Sequence, residues 1–95
     1  MELIVNSGNA RSRAMEAIRA AKTGDFNKAK EKIKECEEEL GKAHDIQTNL
    51  IQNEASGNKA EVSLLLVHAQ DHLMNAMTIK DMAKEFVDMY EEFSK

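Results

Sequence analysis

At 95 residues, with no proline and aromatics at only 4%, the chain has the size of one domain spanning residues 1–95. Charged residues reach 32% and Ala, Glu, Lys and Leu are plentiful, which favours helices and works against a sandwich or barrel. The net charge of −4 argues against nucleic-acid binding, which needs a basic stripe to meet phosphates.

A single cysteine, Cys36, excludes an internal disulfide, and no CxxC or Cys/His metal spacing exists. The opening Met1-Glu2-Leu3-Ile4-Val5-Asn6-Ser7 lacks the basic start and long apolar run of a signal peptide. The longest apolar run, Leu64 to Val67, is far too short to span a bilayer. A soluble cytoplasmic protein with no membrane insertion is expected.

The first helix is predicted from Leu3 to Lys22. Ala10, Ala14, Ala17 and Ala21 recur at spacings of four, three and four, with Ile18 beside them. This narrow stripe of small side chains lets a neighbouring helix approach closely. Gly8 is a loosening point in its first turns. Gly24-Asp25 punctuates the chain, and Asp25 is placed to cap the next helix by accepting from free backbone N–H groups.

The second helix is predicted from Phe26 to Ala55. Phe26, Ala29, Ile33, Cys36, Leu40 and Ala43 step by three and four, and Ile46, Leu50 and Ile51 continue the face. Gly41 costs about 1 kcal/mol relative to alanine, which a pattern this long absorbs. Glu37-Glu38-Glu39 is the wet side, balanced by Lys30, Lys32, Lys34 and Lys42. Cys36 reads as core. In Ser56-Gly57-Asn58, Gly57 suits the left-handed position that closes a helix.

The third helix is predicted from Glu61 to Phe93, completing an all-α, antiparallel, up-down-up three-helix bundle. With His68 at zero degrees and about 100° per residue, Val62, Leu66, Ala69, Leu73 and Ala76 gather on one side as monomer core. Val67 and Met74 lie roughly opposite. A third line runs through Leu64, Leu65, His68, Asp71, His72, Asn75, Ile79, Met82, Phe86, Tyr90 and Phe93. A helix apolar nearly all round is buried all round. Two neighbours in one chain cannot cover every side of it, so self-association through this helix is expected. The pattern does not fix the number of subunits.

His68, Asp71, His72 and Asn75 interrupt that apolar seam on one face. Burying such groups is costly unless they are paired, liganded or reactive, and several neighbouring breaks of a local rule mark a functional site. Imidazole, with an ordinary pKa of ~6.5, offers a ring nitrogen as a nucleophile near neutrality, and attack on a phosphoryl donor gives a phosphohistidine. Two other readings stay open on the residues alone. One is a His/Asp metal-binding oligomer, since His68 and His72 have the four-residue spacing of zinc-protease ligands, although Ala69 stands where those enzymes carry the glutamate base. The other is a helical interaction module without chemistry. His44 has no constellation around it, and Met15, Met74, Met77, Met82 and Met89 read as packing fillers.

The segment Leu64-Leu65-Leu66-Val67-His68-Ala69-Gln70-Asp71-His72-Leu73-Met74 resembles the active-site segment of the lactose/cellobiose-type enzyme IIA components of the phosphoenolpyruvate-dependent sugar phosphotransferase system. Ser7-Gly8-Asn9-Ala10-Arg11-Ser12, with Ala14-Met15-Glu16-Ala17 after it, and Ala43-His44-Asp45-Ile46-Gln47-Thr48 are similar to further segments of that family. The similarity covers nearly the whole chain in order. It implies that His68 is the phosphorylated residue, at Nε2. The donor would be the phosphorylated histidine-containing carrier protein and the acceptor a cysteine of the enzyme IIB component. It implies a trimer of nine helices in which copies of Asp71 meet on the three-fold axis and bind a divalent metal, typically Mg²⁺. Gln70 and His72 match polar residues near the active site. Because Gln70 points away from His68 on the wheel, it is expected to serve an adjacent subunit. The sugar is a disaccharide of the cellobiose, lactose or diacetylchitobiose kind, with cellobiose favoured.

Overall fold

A computed structural model describes residues 1–58 and 61–95. It contains three helices, α1 (Glu2–Lys22), α2 (Phe26–Ala55) and α3 (Leu64–Phe93), and no strand among the described residues. They lie side by side in a rod of 55 × 21 × 16 Å. None of the described helices is long and apolar enough to cross a membrane.

The two turns use the same device. Gly24 (φ 83°) and Gly57 (φ 91°) take the left-handed conformation that side chains with a Cβ avoid. Beyond them the backbone N–H groups of Asp25 and Asn58 donate to Ala20 and Asn53 at 3.0 and 2.8 Å, closing α1 and α2. Asp25 then opens α2, its carboxylate accepting from the Lys28 N–H at 3.1 Å. Gly8 and Gly41 do not interrupt their helices.

The core is thin and made mostly of alanine. Ala10, Ala14, Ala17 and Ala21 of α1 meet Ala29, Cys36 and Ala43 of α2 and Ala69, Ala76 and Ala83 of α3, with Leu3 and Leu73 the largest fully buried side chains. Small side chains let the helix axes approach. Arg13 and Glu16 of α1 link to Lys32 and Glu35 of α2 in a run of ion pairs at 2.8–3.7 Å. Exposed pairs of this kind are each worth little, ~0–1 kcal/mol.

Three expectations need correction. The third helix begins at Leu64 rather than Glu61, because the Ser63 hydroxyl accepts from the Leu66 N–H at 3.1 Å and caps it there. Val62 therefore precedes the helix and is 80% exposed instead of joining the core. Ile51, near the end of α2, is 57% exposed, since α2 extends beyond the part of the bundle that could cover it.

Candidate functional site

The first turns of α3 carry the candidate site. Only Ala69 and Leu73 are buried there, so helix packing holds one side of this stretch and leaves the other open. Leu64 (85% exposed), Leu65 (55%) and Val67 (55%) stand out in solvent in a single chain. His68 is exposed among them and lines an apolar hollow of about 420 Å³ with Leu64 and Leu65.

One turn on, His72 is half-buried. Its Nε2 lies 3.1 Å from the Nε2 of His68, and the rings meet edge to face with centroids 4.5 Å apart and planes at 89°. Two neutral imidazoles at that distance share one proton, one nitrogen donating and the other accepting. His72 also lines a second cleft, about 340 Å³, with Asp71, Asn75 and Ile79 of α3 and Arg11 of α1. The expected face of His68, Asp71, His72 and Asn75 is thus assembled along one side of α3, split between two adjoining hollows. Arg11 is an addition to it. Arg11 stood within a segment similar to the family, but only tertiary structure brings it beside Asp71 and His72.

Gln70 is turned towards α2. It is half-buried against α2, and its Oε1 accepts from the Gln47 Nε2 at 2.8 Å. Its amide oxygen is bound within its own chain. Gln47 stood within a segment similar to the family, but no helical period could have paired residues on two helices.

His44 is exposed on α2 and has no side-chain hydrogen bond among the described residues. Cys36 is buried as expected. Burial pushes its thiol up to about 11, with the nearby Lys80 charge opposing and Glu37 reinforcing the shift. A thiol so held is inert at neutral pH. A larger hollow of about 670 Å³ between α1 and α2 is lined by Met1, Glu2, Val5, Asn6, Lys42, Asp45 and Ile46. It contains no imidazole or thiol.

The donor set tests the implied metal. The Asp71 carboxylate is exposed, and oxygen is the right donor for Mg²⁺. Among the described residues, however, no three His, Cys, Asp or Glu side chains come close enough to hold a metal ion. Asp71 therefore fits the ion in kind, and one chain falls short of it in number.

A family described as the lactose/cellobiose-specific IIA subunit of the phosphotransferase system matches residues 1–91. The chain belongs to that family. It is 58% identical over 94 residues to the lichenan-specific phosphotransferase enzyme IIA component of Bacillus subtilis, a match covering 99% of this chain and 86% of the relative. It is 46% identical over 92 residues to the N,N′-diacetylchitobiose-specific IIA component of Escherichia coli, covering 97% and 79%. Among solved structures, the cellobiose-specific enzyme IIA from Bacillus anthracis superposes with a TM-score of 0.96 at 54% identity, over 98% of this chain and 85% of that one. The E. coli chitobiose IIA in its complex with HPr superposes with a TM-score of 0.85 at 43% identity, over 98% and 90%. The expected all-α bundle and the family are both borne out. The chain is an enzyme IIA component, a phosphohistidine relay protein of the phosphotransferase system.

Proposed function

We propose that this enzyme IIA carries its phosphoryl group on His68 Nε2, accepting it from the phosphorylated histidine-containing carrier protein and passing it to a cysteine of the enzyme IIB component. The single observation that carries this reading is His68 itself, an exposed imidazole in an apolar hollow with the His72 Nε2 only 3.1 Å from its own. In the tautomer pair that acceptance requires, the His72 N–H donates to His68 Nε2, which leaves the His68 proton on Nδ1 and a lone pair on Nε2. The lone pair attacks phosphorus as the donor's bond to phosphorus breaks and its electron pair returns to the donor. The His72 N–H then turns to a phosphoryl oxygen, a charge-assisted hydrogen bond. Transfer onward reverses the sequence. A cysteine thiolate forms the S–P bond, and the N–P pair returns to His68.

Leu64, Leu65 and Val67 form the rim on which both protein partners settle, in encounters of modest area. The carrier partner is supported by the complex solved for the chitobiose IIA. The exposed apolar line of α3, including Met82, Phe86 and Met89, supports self-association through that helix, and the family resemblance makes the assembly a homotrimer. Three copies of Asp71 would then supply the carboxylate oxygens for Mg²⁺, which would neutralise their mutual repulsion. The sugar is a disaccharide of the cellobiose class, in keeping with relatives named for lichenan, cellobiose and diacetylchitobiose. The protein works in the cytoplasm and needs no sugar site of its own.

The test is label transfer from phosphoenolpyruvate through the upstream proteins. Wild-type protein takes up one labile phosphoryl per chain, and His68→Ala takes up none. Undiminished label on His68→Ala would overturn the assignment.

A further inference from the structure

We propose that His68 and His72 form a two-imidazole chelate for Zn²⁺, and that the ion and the phosphoryl group exclude one another at His68. The competition, though not the binding, rests on the phosphocarrier reading above.

The geometry is already close to that of a chelate. Two nitrogens bound about 2.0–2.1 Å from a tetrahedral zinc ion lie about 3.3 Å apart. The two Nε2 atoms are 3.1 Å apart in the structure. They lie one turn apart on the open side of α3, His68 exposed and His72 half-buried, so the ion enters from solvent without unfolding anything. A small rotation of either ring brings both lone pairs onto one point. Neutral imidazole is a preferred zinc ligand. The proton that the rings share through Nε2 moves to Nδ1 of its own ring, leaving both as Nδ1–H tautomers and no net charge taken up by the side chains.

Among the described residues no third His, Cys, Asp or Glu completes the set. The chain therefore supplies two ligands, and water or a donor from a docked protein fills the remaining positions. Open positions set this site apart from a closed structural zinc centre. Its consequence is chemical. Zinc takes the Nε2 lone pair that would attack phosphorus, and a phosphoryl group on that nitrogen removes one of the two ligands. A phosphorylated chain is blind to the ion, and a zinc-loaded chain is blocked for acceptance.

The test titrates ZnCl₂ into unphosphorylated protein against a chromophoric chelator, with magnesium in excess. One zinc per chain is expected. His68→Gln and His72→Gln should each weaken binding about tenfold or more, since losing a ligand costs at least as much as losing an outer hydrogen-bond partner. His44→Gln should leave it unchanged. Circular dichroism checks that each variant keeps its helices. Binding that survives His72→Gln, or is lost with His44→Gln, overturns the proposal. Protein phosphorylated beforehand should bind no zinc at this site, and zinc-loaded protein should accept label from phosphorylated carrier more slowly. Failure to bind zinc with normal label uptake sinks only the chelate. Normal zinc binding without label uptake sinks only the phosphocarrier reading.

Discussion

Where α1 meets α2, alanines close the gap between the helices, and Arg13, Glu16, Lys32 and Glu35 link up across the surface. That region satisfies itself within one chain. Around His68 the same chain does the reverse. Leu64, Leu65 and Val67 stand in water, and two imidazoles face each other at the edge of an open hollow. The first region uses its side chains in folding, whereas the second leaves apolar area and the His68 imidazole open to solvent. A core built mainly of alanine has little area to spare, so exposing this much of α3 makes sense only where something else covers it.

Substitutions can break or sharpen this contrast. The largest effect belongs to Leu73→Ala, because Leu73 is one of the few large side chains fully buried in the core. Chemical denaturation should register a loss of about 2–5 kcal/mol. Phe86→Glu should leave each bundle folded but put a charge into the apolar line of α3. Sedimentation should show an assembly for the wild type and single chains for the variant, a weakening of roughly 2–3 kcal/mol. Asp71→Leu should act oppositely, raising the melting temperature in chelator by a few degrees as like charges give way to apolar contact. A lower value would count against carboxylates meeting at the assembly axis.

Glu16→Gln should have the smallest effect, confined to the self-sufficient region. The hydrogen bond from Lys32 holds the Glu16 carboxyl below its usual range, against the opposing pull of burial and with help from Arg13. A carboxyl lowered in the folded state stabilises it above its unfolded pKa, and the gain vanishes as pH falls through the folded value. The variant should melt slightly earlier than the wild type near neutrality, and the two curves should converge in acid.

The helix pattern was readable wherever one face is buried continuously. Ala10, Ala14 and Ala17 in α1 and Ala29, Ile33, Cys36, Leu40 and Ala43 in α2 all fall in the core, and α2 has the expected bounds. The start of α3 was not readable in the same way. Its apolar period continues backward through Val62, and Ser63 is followed three residues later by Leu66 rather than the Glu or Gln that would make a recognisable capping box. The polar face of α3 was legible because His68, Asp71, His72 and Asn75 break an apolar line at helical spacing. The Gln47–Gln70 bond and the approach of Arg11 were hidden, because each depends on how two helices sit against one another.

The claim that His68 alone accepts the phosphoryl group is tested most directly by nitrogen NMR. Uniformly ¹⁵N-labelled protein would be recorded before and after exposure to phosphorylated carrier. The account predicts a phosphorylation shift and a nitrogen–phosphorus coupling at His68 Nε2, with only a neighbour's perturbation at His72 and none at His44. A coupling at His72 or His44, with His68 unchanged, would contradict it.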